Sequence, residues 1–132
     1  PENDIAYDDV VTDVLDQLRE RVLLAEKAGL DREQIVVDPG LGFGKTAAES
    51  FELLDRIEEF DALGCPVLVG HSHKSMFGAI DREDGERLPA TVAGTAIATD
   101  RGADVIRVHD VRENVDAVRV AEGTRDPETL DS

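Results

Sequence analysis

Three times along this chain a short apolar run halts and opens into a polar loop. Ile35-Val36-Val37 runs into Asp38-Pro39-Gly40-Leu41-Gly42-Phe43-Gly44-Lys45, Val67-Leu68-Val69 into Gly70-His71-Ser72-His73-Lys74-Ser75, and Val105-Ile106 into Arg107-Val108-His109-Asp110. The runs start about 32 and 38 residues apart (35 to 67, 67 to 105), with helix-type periodicity between them. Such a rhythm predicts right-handed βαβ crossovers and a parallel sheet, with all three loops at the carboxyl ends of the strands. Ligands collect at that end in folds of this class. The expected order is α-β-α-β-α-β-α, an α/β fold of about three strands and four helices. Periodicity alone does not separate an open sheet from part of a barrel.

The helices carry their own punctuation. Across residues 7–28, Val11, Val14, Leu15, Leu18, Val22 and Ala25 recur at steps of three and four, and Gly29 follows as a stop. Thr46 with Glu49 three residues on makes a capping box. Phe51, Leu53, Leu54, Ile57 and Phe60 then give an apolar face that lasts to Gly64. A turn or two of helix is expected over 76–80 and a charged surface loop over 81–86. A third helix, 89–101, is rich in Ala90, Ala93, Gly94, Ala96 and Ala98, which permits close packing, and Gly102 ends it. Strand 104–108 follows. Asp110 is placed to cap a last helix to 122 with Val111, Val115, Val118 and Ala121 inward, and the polar tail from Gly123 is expected to fray.

At 132 residues the chain is one domain by length. Its 30 acidic residues against 14 basic give a formal charge of −16, which argues against nucleic acid as a partner. Lysine is confined to Lys27, Lys45 and Lys74, the other basic residues being arginine. Acid excess with scarce lysine predicts a protein of high-salt cytoplasm, where a Debye length of roughly 3 Å at 1 M salt stops surface carboxylates from repelling one another. No apolar stretch approaches the roughly 20 residues of a membrane span. Cys65 is the single cysteine, which suits a reducing cytoplasm. The first residue is Pro1, so an upstream segment is expected to have been lost or cut.

Two of the three lysines, with Arg107, sit in the loops after the strands, and that points to a bound anion. Neither the P-loop nor the dinucleotide fingerprint is met, because Pro39 stands where the first P-loop glycine belongs and the glycines fall at 40, 42 and 44. What remains is Asp38 at a strand end, followed by a flexible backbone presenting Phe43 and Lys45. Asp38 is able to accept two hydrogen bonds from an amidine-like N–H edge, or else to cap the next turn. Phe43, between two glycines, faces a ligand or packs. Lys74 offers a point charge and Ser72 a hydroxyl donor. His71 and His73, at i and i+2, share one face of an extended segment, but no Cys or third His lies near enough to complete a zinc site. Strand alternation puts Arg107 and His109 on one side with Val108 opposite, a fork and a donor suited to phosphate oxygens or to an acidic neighbour such as Asp110.

In these three motifs, in this order and spacing, the chain resembles the carboxy-terminal half of the dihydropteroate synthases. The resemblance covers essentially residues 1–132 as one half of a pterin-binding domain. It implies a partial (β/α)8 TIM-type barrel and a folate-pathway transferase that joins p-aminobenzoate to dihydropterin pyrophosphate, with magnesium. Carried over, Asp38 holds the pterin, Lys74 contacts pterin and aminobenzoate, Phe43 and Ser72 flank the aminobenzoate, and Arg107 and His109 bind the pyrophosphate. Lys74, Arg107 and His109 are then the residues nearest the chemistry. No metal ligand is expected here, since the family's magnesium asparagine lies in its amino-terminal half.

His73 stands where the family carries arginine, exchanging a permanent cation for a titratable group. With three strands of eight, the chain alone is expected to be inactive. The strands at 35–37 and 104–108 would be open edges, which predicts self-association, as a homodimer, or a missing amino-terminal half. Rival readings are a methyltetrahydrofolate-type pterin-binding methyltransferase and a non-catalytic half-barrel binding module.

Overall fold

The computed structural model describes residues 9–71, 74–80 and 85–130. Helix α1 (Val10–Lys27) begins where Asp9 turns its carboxylate back on the free N–H groups of Val11 and Thr12, at 3.1 and 3.3 Å. Its stripe works as the spacing predicts: Val11, Val14 and Val22 are buried and Leu15 and Leu18 pack beside them, with Val10 also inside. Helix α2 (Ala47–Asp55) starts at the expected capping box, Thr46 N–H donating to Glu49 at 2.8 Å and Glu49 N–H to the Thr46 hydroxyl at 3.1 Å. Removing that hydroxyl would cost about 1 kcal/mol. The apolar face continues past α2 as a 3-10 turn, Ile57–Leu63, stopped by left-handed Gly64.

The sheet is shorter than expected. Strands β1 (Leu68–Val69) and β2 (Val105–Ile106) pair in parallel, Leu68 with Val105 and Val69 with Ile106. The run 35–37 contributes one parallel bridge, Val37 to Val67, rather than a full strand. Strand 104–108 likewise shrinks to two residues, although the Arg107 N–H still donates to the Val69 carbonyl at 3.0 Å. Each outer segment has a neighbour on one side only among the described residues, so nothing extends its ladder. The order Val37–β1–β2 nevertheless sets the first two predicted edges outside and β1 between them.

Helix α3 (Leu88–Asp100) packs on α4 (Val111–Arg125). Here the expected inward set is corrected. Val111 is 60% and Val115 46% exposed, while Ala121 is buried as expected, together with Asn114, Ala117 and Gly123. The α3–α4 contact is made through small side chains, and the valines face a groove of about 290 Å³ shared with Ile106 and Val108. Nor does the tail fray from Gly123. Helix α4 runs on to Arg125, and a 3-10 turn, Pro127–Leu130, lays Leu130 so close to Gly123 that an added Cβ would stand 2.6 Å from it. The turn expected at 76–80 is the 3-10 segment Ser75–Ile80. Most of the loop expected at 81–86 lies outside the described residues.

One core joins these pieces. Phe60, Leu53, Ile57, Val67 and Val69 are fully enclosed, with Met76 and Phe77 closing it below the second loop. Truncating Phe60 to alanine would cost roughly 3–5 kcal/mol. Among the described residues no helix is long and apolar enough to cross a membrane.

Candidate functional site

The glycine loop after Val37 is tied down rather than flexible. Asp38 accepts the Gly40 N–H at 2.8 Å, which is the turn-capping role, and leaves its second carboxylate oxygen for other donors. The Ser50 hydroxyl, buried on α2, accepts the Gly42 N–H at 2.9 Å. Lys45 donates to the carbonyls of Gly40 and Phe43 at 3.0 and 2.8 Å, so its ammonium braces the loop from within. Lys74 reaches across from the second loop to the Leu41 carbonyl at 2.9 Å, passing Gly42, where an added Cβ would sit 3.3 Å from its chain.

Lys74 also lies over the Phe43 ring, 4.2 Å from its centroid, a cation–π contact at the surface. Phe43 is 66% exposed, so its other side is open. Arg107 lies across Gly70: a Cβ there would meet the guanidinium at 2.6 Å, which makes glycine the residue that lets the fork settle against β1. Phe43, Gly70, Lys74, Arg107, Val108 and His109 line a single cavity of about 410 Å³. Arg107 and His109 border that space together, and Val108 borders both it and the groove beside β2.

Burial pushes the Lys74 ammonium below its usual pKa; the Asp38 carboxylate opposes that and the Arg107 charge adds to it. Burial likewise lowers Lys45, opposed by Asp38 and Glu49. Asp38 does not line the cavity, yet it acts on both lysines beside it. Ser72 and His73 lie outside the described residues.

The His71 ring is buried against α3, with Nε2 2.9 Å from both the Thr91 carbonyl and the Thr95 hydroxyl. No group of three or more His, Cys, Asp or Glu able to hold a metal comes together among the described residues. Ser50, Thr95, Asn114 and Gly70 were not singled out from sequence. Thr91, Thr95 and Thr99, at steps of four on α3, are the signal that could have found the threonines.

Residues 1–109 match the sequence profile of the pterin binding enzymes. The chain belongs to that family. Among pterin-binding relatives, a probable bifunctional folylpolyglutamate synthase/dihydropteroate synthase of Haloferax volcanii is 64% identical over 132 residues, all of this chain and 16% of the relative. The dihydropteroate synthase of Escherichia coli is 44% identical over 119 residues, 89% of this chain and 42% of the relative. The structure of the Xanthomonas albilineans dihydropteroate synthase in complex with 7,8-dihydropteroate superposes with a TM-score of 0.87 at 40% identity, over 92% of this chain and 48% of that one. The chain thus spans less than half the length of these pterin-binding proteins.

Proposed function

We propose that this chain is the carboxy-terminal half of a dihydropteroate synthase barrel, a folate-biosynthesis transferase that condenses dihydropterin pyrophosphate with p-aminobenzoate. The observation that carries the reading is the meeting of Phe43, Lys74, Arg107 and His109 around one cavity beside the Asp38 strand end. Relatives of that name and the dihydropteroate-bound Xanthomonas enzyme support it.

In this reading the free oxygen of Asp38 accepts from the pterin N–H edge and Lys74 bridges pterin and aminobenzoate. Phe43 and Ser72 flank the aminobenzoate ring. The amine nitrogen attacks the methylene carbon, the carbon–oxygen bond breaks, and pyrophosphate leaves with the electron pair; the nitrogen then releases a proton. Charge grows on the departing oxygens, where Arg107 and His109 stand already oriented. An aryl amine is weakly basic, so no dedicated base is required.

Magnesium is assigned to the other half, because the family that this chain resembles carries its magnesium asparagine there. The open groove of Ile106, Val108, Val111, Val115 and Val118 beside β2 supports a partner segment at that edge. The −16 charge and the Haloferax relative support a high-salt cytoplasm.

The test joins this chain to the amino-terminal half and measures pyrophosphate release in molar salt. Release that needs both substrates and is lost in Lys74→Met is expected. No release, with no pyrophosphate binding, would overturn the reading.

A further inference from the structure

A buried polar chain runs behind the cavity and joins its two cationic loops. The Thr91 carbonyl has no hydrogen to give, so His71 Nε2 carries the proton and donates to it at 2.9 Å. The same N–H reaches the Thr95 hydroxyl oxygen at 2.9 Å. Thr95 in turn donates its own hydrogen to Asn114 Oδ1 at 2.5 Å, and Asn114 Nδ2 donates to the Asp110 carbonyl at 2.7 Å. Every link therefore has a fixed direction. His71 Nδ1 is enclosed and has no partner among the described residues, and an unpaired buried lone pair is tolerated better than an unpaired buried N–H. Both facts select the neutral Nε2–H tautomer, and burial lowers the pKa in the same sense.

The chain of bonds starts and ends at the cavity loops. The His71 carbonyl accepts the Lys74 N–H at 3.1 Å, which ties the Lys74 backbone to His71. Asp110 follows His109 directly and stands at the N-cap of α4, three residues after Arg107. Gly94 clears the route, since a Cβ there would lie 2.8 Å from the His71 ring.

We propose that His71 is a positioning residue for anion binding, setting the Lys74 loop against the Arg107–His109 segment through Thr95 and Asn114. This rests on the proposed synthase reading, which supplies the diphosphate as the anion. The two fail separately in the test. In the full-length protein carrying this chain, wild type is compared with His71→Leu, His71→Gln, Thr95→Val and Thr95→Ser. Turnover gives the KM of each substrate and titration gives the affinity for inorganic pyrophosphate.

His71→Leu and Thr95→Val are expected to raise the KM for the pterin diphosphate and to weaken pyrophosphate about tenfold. The KM for p-aminobenzoate should stay within about twofold. Gln keeps an N–H donor and Ser keeps the hydroxyl, so each should recover most of the loss. Gln behaving like Leu and Ser like Val, or both KM values rising together, would overturn the proposal. Should wild type prove inactive in condensation, the synthase reading falls. Pyrophosphate titration of the Leu–Gln and Thr95 pairs then still decides the role of His71: the same loss-and-recovery pattern supports it, and equal affinities overturn it. If His71→Leu fails to fold, the Thr95 pair carries the comparison alone.

Discussion

Cations at the rim of the molecule and cations at the cavity are held in opposite ways. Arg19, Arg32, Arg56 and Arg101 each face a carboxylate in an ion pair. Arg56 alone faces Asp9, Glu52 and Glu59. Lys45 and Lys74 instead rest on backbone carbonyls and an aromatic ring. Carbonyls fix an ammonium in place without cancelling its charge. These four arginines are held by carboxylates, whereas the two lysines are held by neutral groups, which under the proposed function leaves their field for an incoming anion.

Replacing a cavity cation should therefore cost far more in anion affinity than replacing a rim cation. For Arg107→Met the expected loss of pyrophosphate affinity is roughly 10- to 150-fold, about 1.5–3 kcal/mol for a charged hydrogen bond. Titration calorimetry reads it, and an unchanged constant would break the contrast. Gly70→Ala should come next, at about three- to tenfold, because the new methyl would push the Arg107 guanidinium off β1. Normal affinity in that variant would mean the guanidinium has a second resting place.

Behind the cavity, the buried histidine should make stability respond to pH. His71 has a depressed folded-state pKa, so below its unfolded value near 6.5 the unfolded chain binds the extra proton and the folded chain resists it. Stability should thus be fully present above pH 6.5 and fall as pH drops toward the folded value, by at most about 1.4 kcal/mol per pH unit. Denaturant midpoints between pH 7 and 5 measure this, and His71→Met should flatten the slope. The smallest effect is expected at the rim. Arg56→Met should leave pyrophosphate affinity within about twofold and shift stability by about 0–1 kcal/mol. A large loss of affinity there would erase the distinction between the two regions.

Much of this was legible in the residues. The Thr46–Glu49 box, the valine stripe of α1 and the grouping of three polar loops at one sheet end all came through, because each depends on local spacing. Helix α4 misled because it has two usable faces. Its valines at 111, 115 and 118 form the more apolar stripe, yet the surface this chain offers, α3, accepts small side chains, so Ala117 and Ala121 turn inward. Periodicity ranks faces by hydrophobicity and says nothing of which neighbour is present. The run 35–37 likewise has the composition of a strand, but a ladder needs a partner on each side to lengthen. Asp38, Phe43, Lys74, Arg107 and His109 were legible as charged, aromatic and ring side chains just after the apolar runs. The Thr95–Asn114 link was not, since hydrogen bonds between distant helices leave no mark in local spacing.

The tether between Ser50 and the Gly42 amide has a thermodynamic consequence. A run with glycine at every second position has unusual conformational freedom when unfolded, and fixing a residue removes about 1–2 kcal/mol of backbone entropy. Here that loss is met when α2 docks in the core. If the proposed function holds, a ligand arriving at Phe43 finds its platform already frozen, so encounter rather than ordering should limit the speed of capture.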